Sequence, residues 1–237
     1  MKLIQFDTQQ GIYYFELSRF STEMHRHPAV EIILAHQGHF TLSTPTATQT
    51  DLSFAIVPAN VDHRVGTEEG LVHVLMIEHH NRWIKDFLNQ KDIDYSENLY
   101  FEKSGHRPVI FLSDLLQQFS TVHLPREYDE RVEQCLAIFA QQLMTYENML
   151  ETLTTRVFLS ESRLSHLFKA NVGVSLKKYL IWCRLKMVAQ QILEKGENLS
   201  EAAISSGFYD QAHLSKAFKE ILGLSPSKVY NSQLSRE

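Results

Sequence analysis

Three histidines and one glutamate in the N-terminal third have the types and spacing of a metal site. His25, His27 and Glu31 follow one another at short intervals, and His63 lies further along the chain. On a strand, His25 and His27 would project from the same face. Three imidazoles and one carboxylate form a donor set that suits Zn, Ni, Mn or Fe(II). Two alternatives follow: either these residues bind a divalent metal or an effector, or they make structural hydrogen bonds around an organic ligand.

The segment that carries these residues has the pattern of an antiparallel β-structure. Short β-rich runs alternate with turn signals such as Gln37-Gly38 and Pro58-Ala59-Asn60. Several short, evenly spaced strands predict a sandwich or a small barrel. The predicted strands cover residues 12–17, 30–35, 39–43, 53–57 and 71–78.

After Asn81 the apolar spacing becomes helical, and all later segments are expected to be helices. We therefore predict an α+β chain of two domains: a barrel with flanking helices at 1–80 and an all-α domain at 126–237. Residues 81–125 would form linker and dimerisation helices between them. The candidate dimer seam is an apolar face that core packing explains about as well, made of Leu112, Leu115, Leu116 and Phe119.

The net charge differs between the two parts of the chain. All 237 residues together carry a formal charge of −5, which by itself does not suggest nucleic acid. Residues 1–150 contain 11 basic and 20 acidic residues, whereas residues 151–237 contain 12 basic and 8 acidic residues. A net −9 is thus followed by a net +4, and such halves usually have different functions.

The cysteines and the N-terminus indicate a reduced, non-membrane environment. Cys135 and Cys183 both lie within apolar helical patterns, so we expect reduced core thiols and neither a disulfide framework nor a cysteine metal site. Polar residues interrupt the N-terminus too early for a signal peptide, and no apolar run approaches the roughly 18 residues of a membrane span. We therefore predict a cytoplasmic protein with no membrane partner.

The C-terminal part contains an internal repeat at an offset of fifty residues. Residues 158–175 align without gaps to residues 208–225, with seven of eighteen positions identical. Each copy is predicted to begin its main helix at an N-cap, Ser160 or Asp210, and to end at a glycine, Gly173 or Gly223. Two copies of one supersecondary unit are indicated.

Each repeat has the pattern of a helix-turn-helix. A shorter helix, at about 150–156 or 199–206, precedes a second helix with one buried apolar stripe and one polar face. Such a face is how a recognition helix is presented to the major groove. The candidate DNA-binding residues are Ser162, Arg163, His166 and Lys169 in the first copy, and Gln211, His213, Lys216 and Lys219 in the second.

One long helix is predicted between the two copies. Residues 175–195 contain no internal proline or glycine and keep helical apolar spacing. Twenty residues span about 30 Å, close to the roughly 34 Å between successive major-groove faces of B-DNA. One chain could thus place two recognition helices on one face of a duplex.

These residues resemble known families in both halves. Residues 131–231 resemble the DNA-binding domain of the AraC/XylS regulators, most closely at 199–219 and at Gly223-Leu224-Ser225-Pro226. The N-terminal spacing resembles the cupin motifs HxHxxxExxxxxxG and PxGxxH, with Arg19 and Asn60 in place of two glycines. The resemblance implies a cupin-like sensor domain joined to a DNA-binding domain.

The leading hypothesis is a transcription regulator, not an enzyme, that binds promoter DNA and is controlled by a small-molecule effector in the barrel. A homodimer and contact with RNA polymerase are the further partners expected, and the sequence does not separate activator from repressor. The alternative is a cupin-type metal-dependent enzyme fused to a DNA-binding domain. A purely structural role for the helical part is a third hypothesis.

Overall fold

A computed structural model describes residues 2–7, 11–78, 83–93, 99–105, 128–141 and 145–234. The chain divides into two compact units, one built mainly from residues 1–126 and one mainly from residues 127–230. The first unit carries the β-structure and the second is helical within the described ranges.

One antiparallel sheet forms the frame of the first unit. β6 is the central strand, because it pairs with β2, β3 and β4. β3 also pairs with β5, and β5 pairs with β4, so the path β6–β3–β5–β4 returns to β6 and closes a small barrel. The strands are β1 (Lys2–Asp7), β2 (Ile12–Ser21), β3 (Ala29–Gly38), β4 (Phe40–Ser43), β5 (Thr48–Val57), β6 (Arg64–Glu78) and β7 (Tyr100–Lys103).

The predicted β-structure is confirmed, although the strands are longer than the short apolar runs indicated. β5 begins at Thr48 and β6 at Arg64, well before the predicted starts. Their first residues are partly exposed and polar, so hydrophobic alternation does not reveal them. Apolar side chains on one face of the sheet pack with α1 (Trp83–Gln90) into a core that includes Ile32, Leu34, Phe54, Ile56, Leu75, Ile77, Phe87 and Leu88.

The expectation that only helices follow Asn81 is wrong at β7. This strand pairs with β5, and the Tyr100 ring packs edge-on against Phe54 with the centroids 6.0 Å apart. Four residues are too few to show a strand period in the sequence. The sheet of the first unit therefore extends beyond residue 80. The candidate dimer seam, at 112–119, lies outside the described residues.

The helices of the second unit follow the predicted order. They are α2 (Glu130–Gln141), α3 (Tyr146–Val157), α4 (Glu161–Val172), α5 (Leu176–Lys195), α6 (Leu199–Ser205), α7 (Gln211–Leu222) and α8 (Pro226–Leu234). Thr145 is the N-cap of α3, where its hydroxyl accepts the backbone N–H of Asn148 at 3.3 Å.

Three aromatic rings join α2, α4 and α5. Phe139, Phe168 and Tyr179 pack with ring centroids 5.1–5.9 Å apart. The predicted long linker helix is confirmed as α5, which begins at the N-cap Ser175 and ends at Gly196 in the left-handed conformation. Among the described helices, none is both long enough and apolar enough to cross a bilayer.

Candidate nucleic-acid interface and buried histidine cluster

The second unit contains two helix-turn-helix pairs, α3 with α4 and α6 with α7. The apolar stripes are buried at Leu164 and Phe168 in α4 and at Leu214 and Phe218 in α7. On the opposite faces, all eight side chains predicted to face DNA are exposed: Ser162, Arg163, His166, Lys169, Gln211, His213, Lys216 and Lys219. The structure thus presents two polar helix faces of the kind that enters a major groove, while the individual DNA contacts remain predictions.

The predicted caps are confirmed in three of four places. Asp210 accepts the backbone N–H of His213 at 2.7 Å, and Gly173 and Gly223 both adopt positive φ. Ser160 stands at the N-cap of α4 with extended backbone, but its side chain makes no capping hydrogen bond. The position is therefore correct and the predicted side-chain interaction is wrong.

The two turns differ although their sequences align. The left-handed residue of the first turn is Phe158, with φ 53°, whereas that of the second is Gly207, with φ 82°. Phe158 is consequently 91% exposed, and its aligned partner Phe208 is only 4% exposed. The second turn is one residue longer between the left-handed position and the N-cap, which leaves Tyr209 84% exposed before the recognition helix.

The sequence did not predict a set of contacts around the start of α7. The hydroxyl of Ser200, on α6, donates to Oε1 of Gln211 at 2.7 Å. The backbone N–H of Tyr209 donates to Nδ1 of His213 at 3.4 Å, and the His213 ring packs edge-on against Phe208. Ser200 and Gln211 come into contact only because α6 packs against α7. The spacing of the two residues along the chain therefore does not predict their hydrogen bond.

In the first unit, the four residues of the predicted metal set come together. His25, His27, Glu31 and His63 are all buried, and one potential ligand atom from each lies within 4.8 Å of the others. In a tetrahedral site with bonds of about 2.1 Å, the ligand atoms lie about 3.4 Å apart. The four ligand atoms would therefore move closer together on binding one ion.

Backbone hydrogen bonds hold the cluster in place. His25 and His63 form an isolated β-bridge with reciprocal N–H···O bonds of 2.9 Å, and Asn60 donates its N–H to the His27 carbonyl at 2.8 Å. His25 and His27 lie in the segment that leads into β3, outside the regular strands. Glu31 is on β3, opposite Val57 and Met76.

The rings of His25, His27 and His63 are oriented alike, each with Nδ1 facing a backbone carbonyl. Each Nδ1 lies 2.8–3.0 Å from a backbone carbonyl, of Glu23, Ala29 and Val61 respectively. An Nδ1 that donates to a carbonyl leaves the Nε2 lone pair available, and this is the arrangement that orients metal-binding histidines. The Nε2 atoms of His27 and His63 lie 3.3 and 2.7 Å from Oε2 of Glu31.

Burial and charge act differently on the members of the cluster. Burial, followed by repulsion from His63 and His27, lowers the pKa of His25 to about 3. Burial opposes ionisation of Glu31 and His63. For Glu31, the hydrogen bonds with His27 and His63 and the charges of both rings outweigh burial, and for His63 the hydrogen bond with Glu31 and its charge do. The pKa of Glu31 is therefore held well below its usual range, and that of His63 is raised. A neutral His25 beside an ionised Glu31 is a donor set that fits a divalent cation.

Arg19 and Asn60, which stand where the cupin motifs have glycine, both have a backbone conformation that glycine favours. Arg19 has φ 49° and Asn60 has φ 66°, so both adopt the left-handed conformation that glycine would supply without strain. An ordinary side chain such as that of arginine keeps this local geometry at an energetic cost of about 1 kcal/mol. Asparagine tolerates this region better than arginine does.

A polar cavity opens elsewhere in the first unit, between strands β2, β4, β5 and β6. Its volume is about 640 Å³, within the range of roughly 300–1,000 Å³ that small-molecule sites occupy. Phe20 and Phe40 supply apolar lining, and His39, Asp51 and Arg64 supply polar groups. His39 Nε2 lies 3.5 Å from Oδ1 of Asp51.

Comparisons with known proteins find similar sequences in the helical part and over most of the chain. The model of the helix-turn-helix domain family matches residues 153–232. The chain is 26% identical over 239 residues to the probable transcriptional regulator LumQ of Photobacterium leiognathi, covering 88% of this chain and 92% of LumQ. It is 36% identical over 74 residues to a putative AraC-like transcription regulator of Streptomyces antibioticus, covering 31% of this chain and 24% of that regulator.

A solved structure extends the likeness to both units. ToxT from Vibrio cholerae, solved with an unsaturated fatty acid bound, is 13% identical and has a TM-score of 0.54 over 92% of this chain and 94% of that chain. At this identity the likeness concerns the fold. Together, the tandem helix-turn-helix and the matched domain define a DNA-binding transcription regulator. Over the residues of the helix-turn-helix domain the chain is similar to AraC-like regulators, and its first unit contains a small barrel.

Proposed function

We propose that the protein binds promoter DNA through α4 and α7 together, and that a small-molecule effector in the barrel unit changes this binding. The observation that carries the proposal is the repeated exposed polar face on two helices joined by the twenty-residue α5. An effector acts in this way only if it binds two states of the protein with different affinities.

The charge distribution supports DNA as the partner and a dimer as the active form. The net charge of +4 on residues 151–237 favours a polyanion, but it is small for tight binding by one chain. Linking two such units in a homodimer would raise the affinity without new contacts. In this proposal the regulator works in the cytoplasm, where it also contacts RNA polymerase.

The polar cavity is our candidate effector site. Its volume suits a small molecule, and its lining combines two phenylalanine rings with Arg64, Asp51 and His39. These groups favour a ligand with hydrogen-bonding substituents. For ToxT, by contrast, the bound molecule named is an unsaturated fatty acid.

The histidine cluster is our candidate metal site. We propose that His25, His27, Glu31 and His63 bind one divalent cation, of Zn, Ni, Mn or Fe. The support is the convergence of four ligand atoms and the three Nδ1–carbonyl contacts. When bound, the cation would neutralise the buried carboxylate and tie the β3 strand to the segments around residues 25 and 63.

One alternative function has specific support, namely a cupin-type metal-dependent enzyme fused to the DNA-binding domain. The same buried cluster favours it, because three histidines and a carboxylate leave coordination positions for a substrate on a six-coordinate ion. Metal analysis of the purified protein, followed by a search for turnover, separates the two. Stoichiometric metal and turnover that are both lost in His25→Ala and His27→Ala would favour the enzyme.

Duplex binding by the full-length chain tests the leading proposal. Fluorescence anisotropy with duplexes selected from a random pool should show binding that weakens as salt rises. Lys169→Ala and Lys219→Ala should each weaken binding to all duplexes, because lysine contacts to phosphate do not depend on sequence. Binding that neither salt nor these substitutions change would contradict the proposal.

A further inference from the structure

We propose that Ser200 is a positioning residue that holds the amide of Gln211 ready to recognise an adenine in the major groove. The inference rests on the proposed binding of DNA by α7. Its basis is the hydrogen bond of 2.7 Å from the Ser200 hydroxyl to Oε1 of Gln211, which joins the two helices of the second helix-turn-helix.

Both ends of this hydrogen bond are held by helix caps. Ser200 is in the first turn of α6, where Oδ1 of Asn198 accepts its backbone N–H at 3.0 Å and that of Glu201 at 3.1 Å. Oε2 of Glu201 accepts the N–H of Asn198 at 3.2 Å and completes a capping box. Gln211 is the first residue of α7, directly after the cap Asp210. The backbone at each end is thus fixed before any ligand binds.

The direction of the hydrogen bond determines which groups Gln211 offers. Since Oε1 accepts from Ser200, Oε1 faces α6 and the Nε2 amide group points to the other side. The oxygen keeps a second lone pair, so the amide still offers one acceptor and two donors. Adenine presents N7 as an acceptor and N6 as a donor in the major groove, which matches this set. A side chain held in this way loses less rotational freedom on binding than a free glutamine does.

The first helix-turn-helix has no equivalent pair. At the fifty-residue offset, Ser200 corresponds to Leu150 and Gln211 corresponds to Glu161. Leucine offers no hydrogen bond, and an ionised glutamate is an acceptor only. The adenine contact therefore belongs to the half of the DNA site that α7 occupies, and the two repeats recognise different sequences.

The experiment compares the full-length wild type with four variants on the best duplex from a random pool and on all its single base-pair substitutions. The variants are Ser200→Ala, Ser200→Thr, Gln211→Ala and Ser205→Ala. The last is a control, because Ser205 is an exposed serine on α6, the helix that carries Ser200. Gln211→Ala should reduce discrimination at one A·T pair by roughly 5- to 150-fold, the range of a lost bidentate contact. Ser200→Ala should reduce discrimination at the same pair by about 3- to 10-fold, since one neutral hydrogen bond is removed.

The control and the conservative variant separate positioning from stability. Ser200→Thr keeps the hydroxyl and should keep the preference, and Ser205→Ala should bind like the wild type. Equal weakening on every duplex in Ser200→Ala, or an effect at a different base pair from that of Gln211→Ala, would overturn the inference and leave the proposed function intact. A wild type that selects no duplex would overturn both.

Discussion

Oε2 of Glu31 lies 2.7 Å from Nε2 of His63, and both groups are buried. Nδ1 of the same ring lies 2.8 Å from the carbonyl of Val61, so His63 has an acceptor at each nitrogen. Such a ring either carries two protons and forms an ion pair with Glu31, or keeps one proton and gives its Nε2 lone pair to a cation. The protonation of His63 therefore depends on whether a cation is bound beside Glu31.

Metal addition should stabilise the protein through this cluster. After treatment with a chelator, Zn or another of the candidate cations at 100 times its dissociation constant should stabilise the folded state by about 2.7 kcal/mol. Thermal unfolding, monitored by circular dichroism, measures this stabilisation. His25→Ala and His27→Ala should abolish it, whereas His39→Ala, an exposed histidine, should not. An unchanged melting temperature in the wild type for every cation would contradict the metal site.

Removal of the Glu31 charge should lower the free energy of unfolding of the metal-free protein. Glu31→Gln leaves His63 and His27 without a carboxylate in a buried site, and breaking a buried pair costs about 3–5 kcal/mol. The matched control is Asp62→Asn, which breaks the exposed contact of 3.3 Å with Arg26 and should cost less than about 1 kcal/mol. Urea unfolding of the metal-free proteins measures both. Equal losses in the two variants would argue against a buried ion pair.

The left-handed backbone at Asn60 predicts opposite results for two substitutions. Asn60→Gly should leave stability unchanged or raise it slightly, because glycine adopts positive φ without strain. Asn60→Ala should destabilise the protein by about 1 kcal/mol, because alanine pays the left-handed penalty. Thermal unfolding distinguishes them. If the glycine variant is less stable than the alanine variant, backbone strain at residue 60 does not determine the stability of the two variants.

The two kinds of N-cap should respond differently to alanine. Asn198→Ala removes a side chain that accepts two backbone N–H groups and should cost about 1 kcal/mol. Ser160→Ala removes a hydroxyl that makes no capping hydrogen bond, so its cost should be smaller. Urea unfolding gives both free energies. A larger loss in Ser160→Ala would mean that its hydroxyl caps α4 in solution.

The sequence predicted those parts of the site that depend on local periodicity or motif spacing. His25, His27, Glu31 and His63 were identified from spacing, and the exposed faces of α4 and α7 from helical period. Contacts that require two elements to meet were missed, as with the Ser200–Gln211 hydrogen bond.

Backbone conformation explains the other differences from the sequence prediction. Phe158 and Phe208 align, yet they differ in exposure because the left-handed residue is Phe158 in one turn and Gly207 in the other. The strand β7 was missed because its four residues carry no period, and its place depends on pairing with β5. Neither effect leaves a pattern within a window of a few residues.

Joint recognition of DNA by α4 and α7 is tested by selecting bound duplexes from a random pool with the full-length chain. We expect enrichment of sequences in which the site of each protomer has two sub-sites about one helical turn apart, roughly 10–10.5 base pairs, one for each recognition helix. Arg163→Ala should alter the preference in one sub-site and Gln211→Ala in the other. No enrichment, or a single sub-site that responds to both substitutions, would contradict the claim that α4 and α7 recognise DNA together.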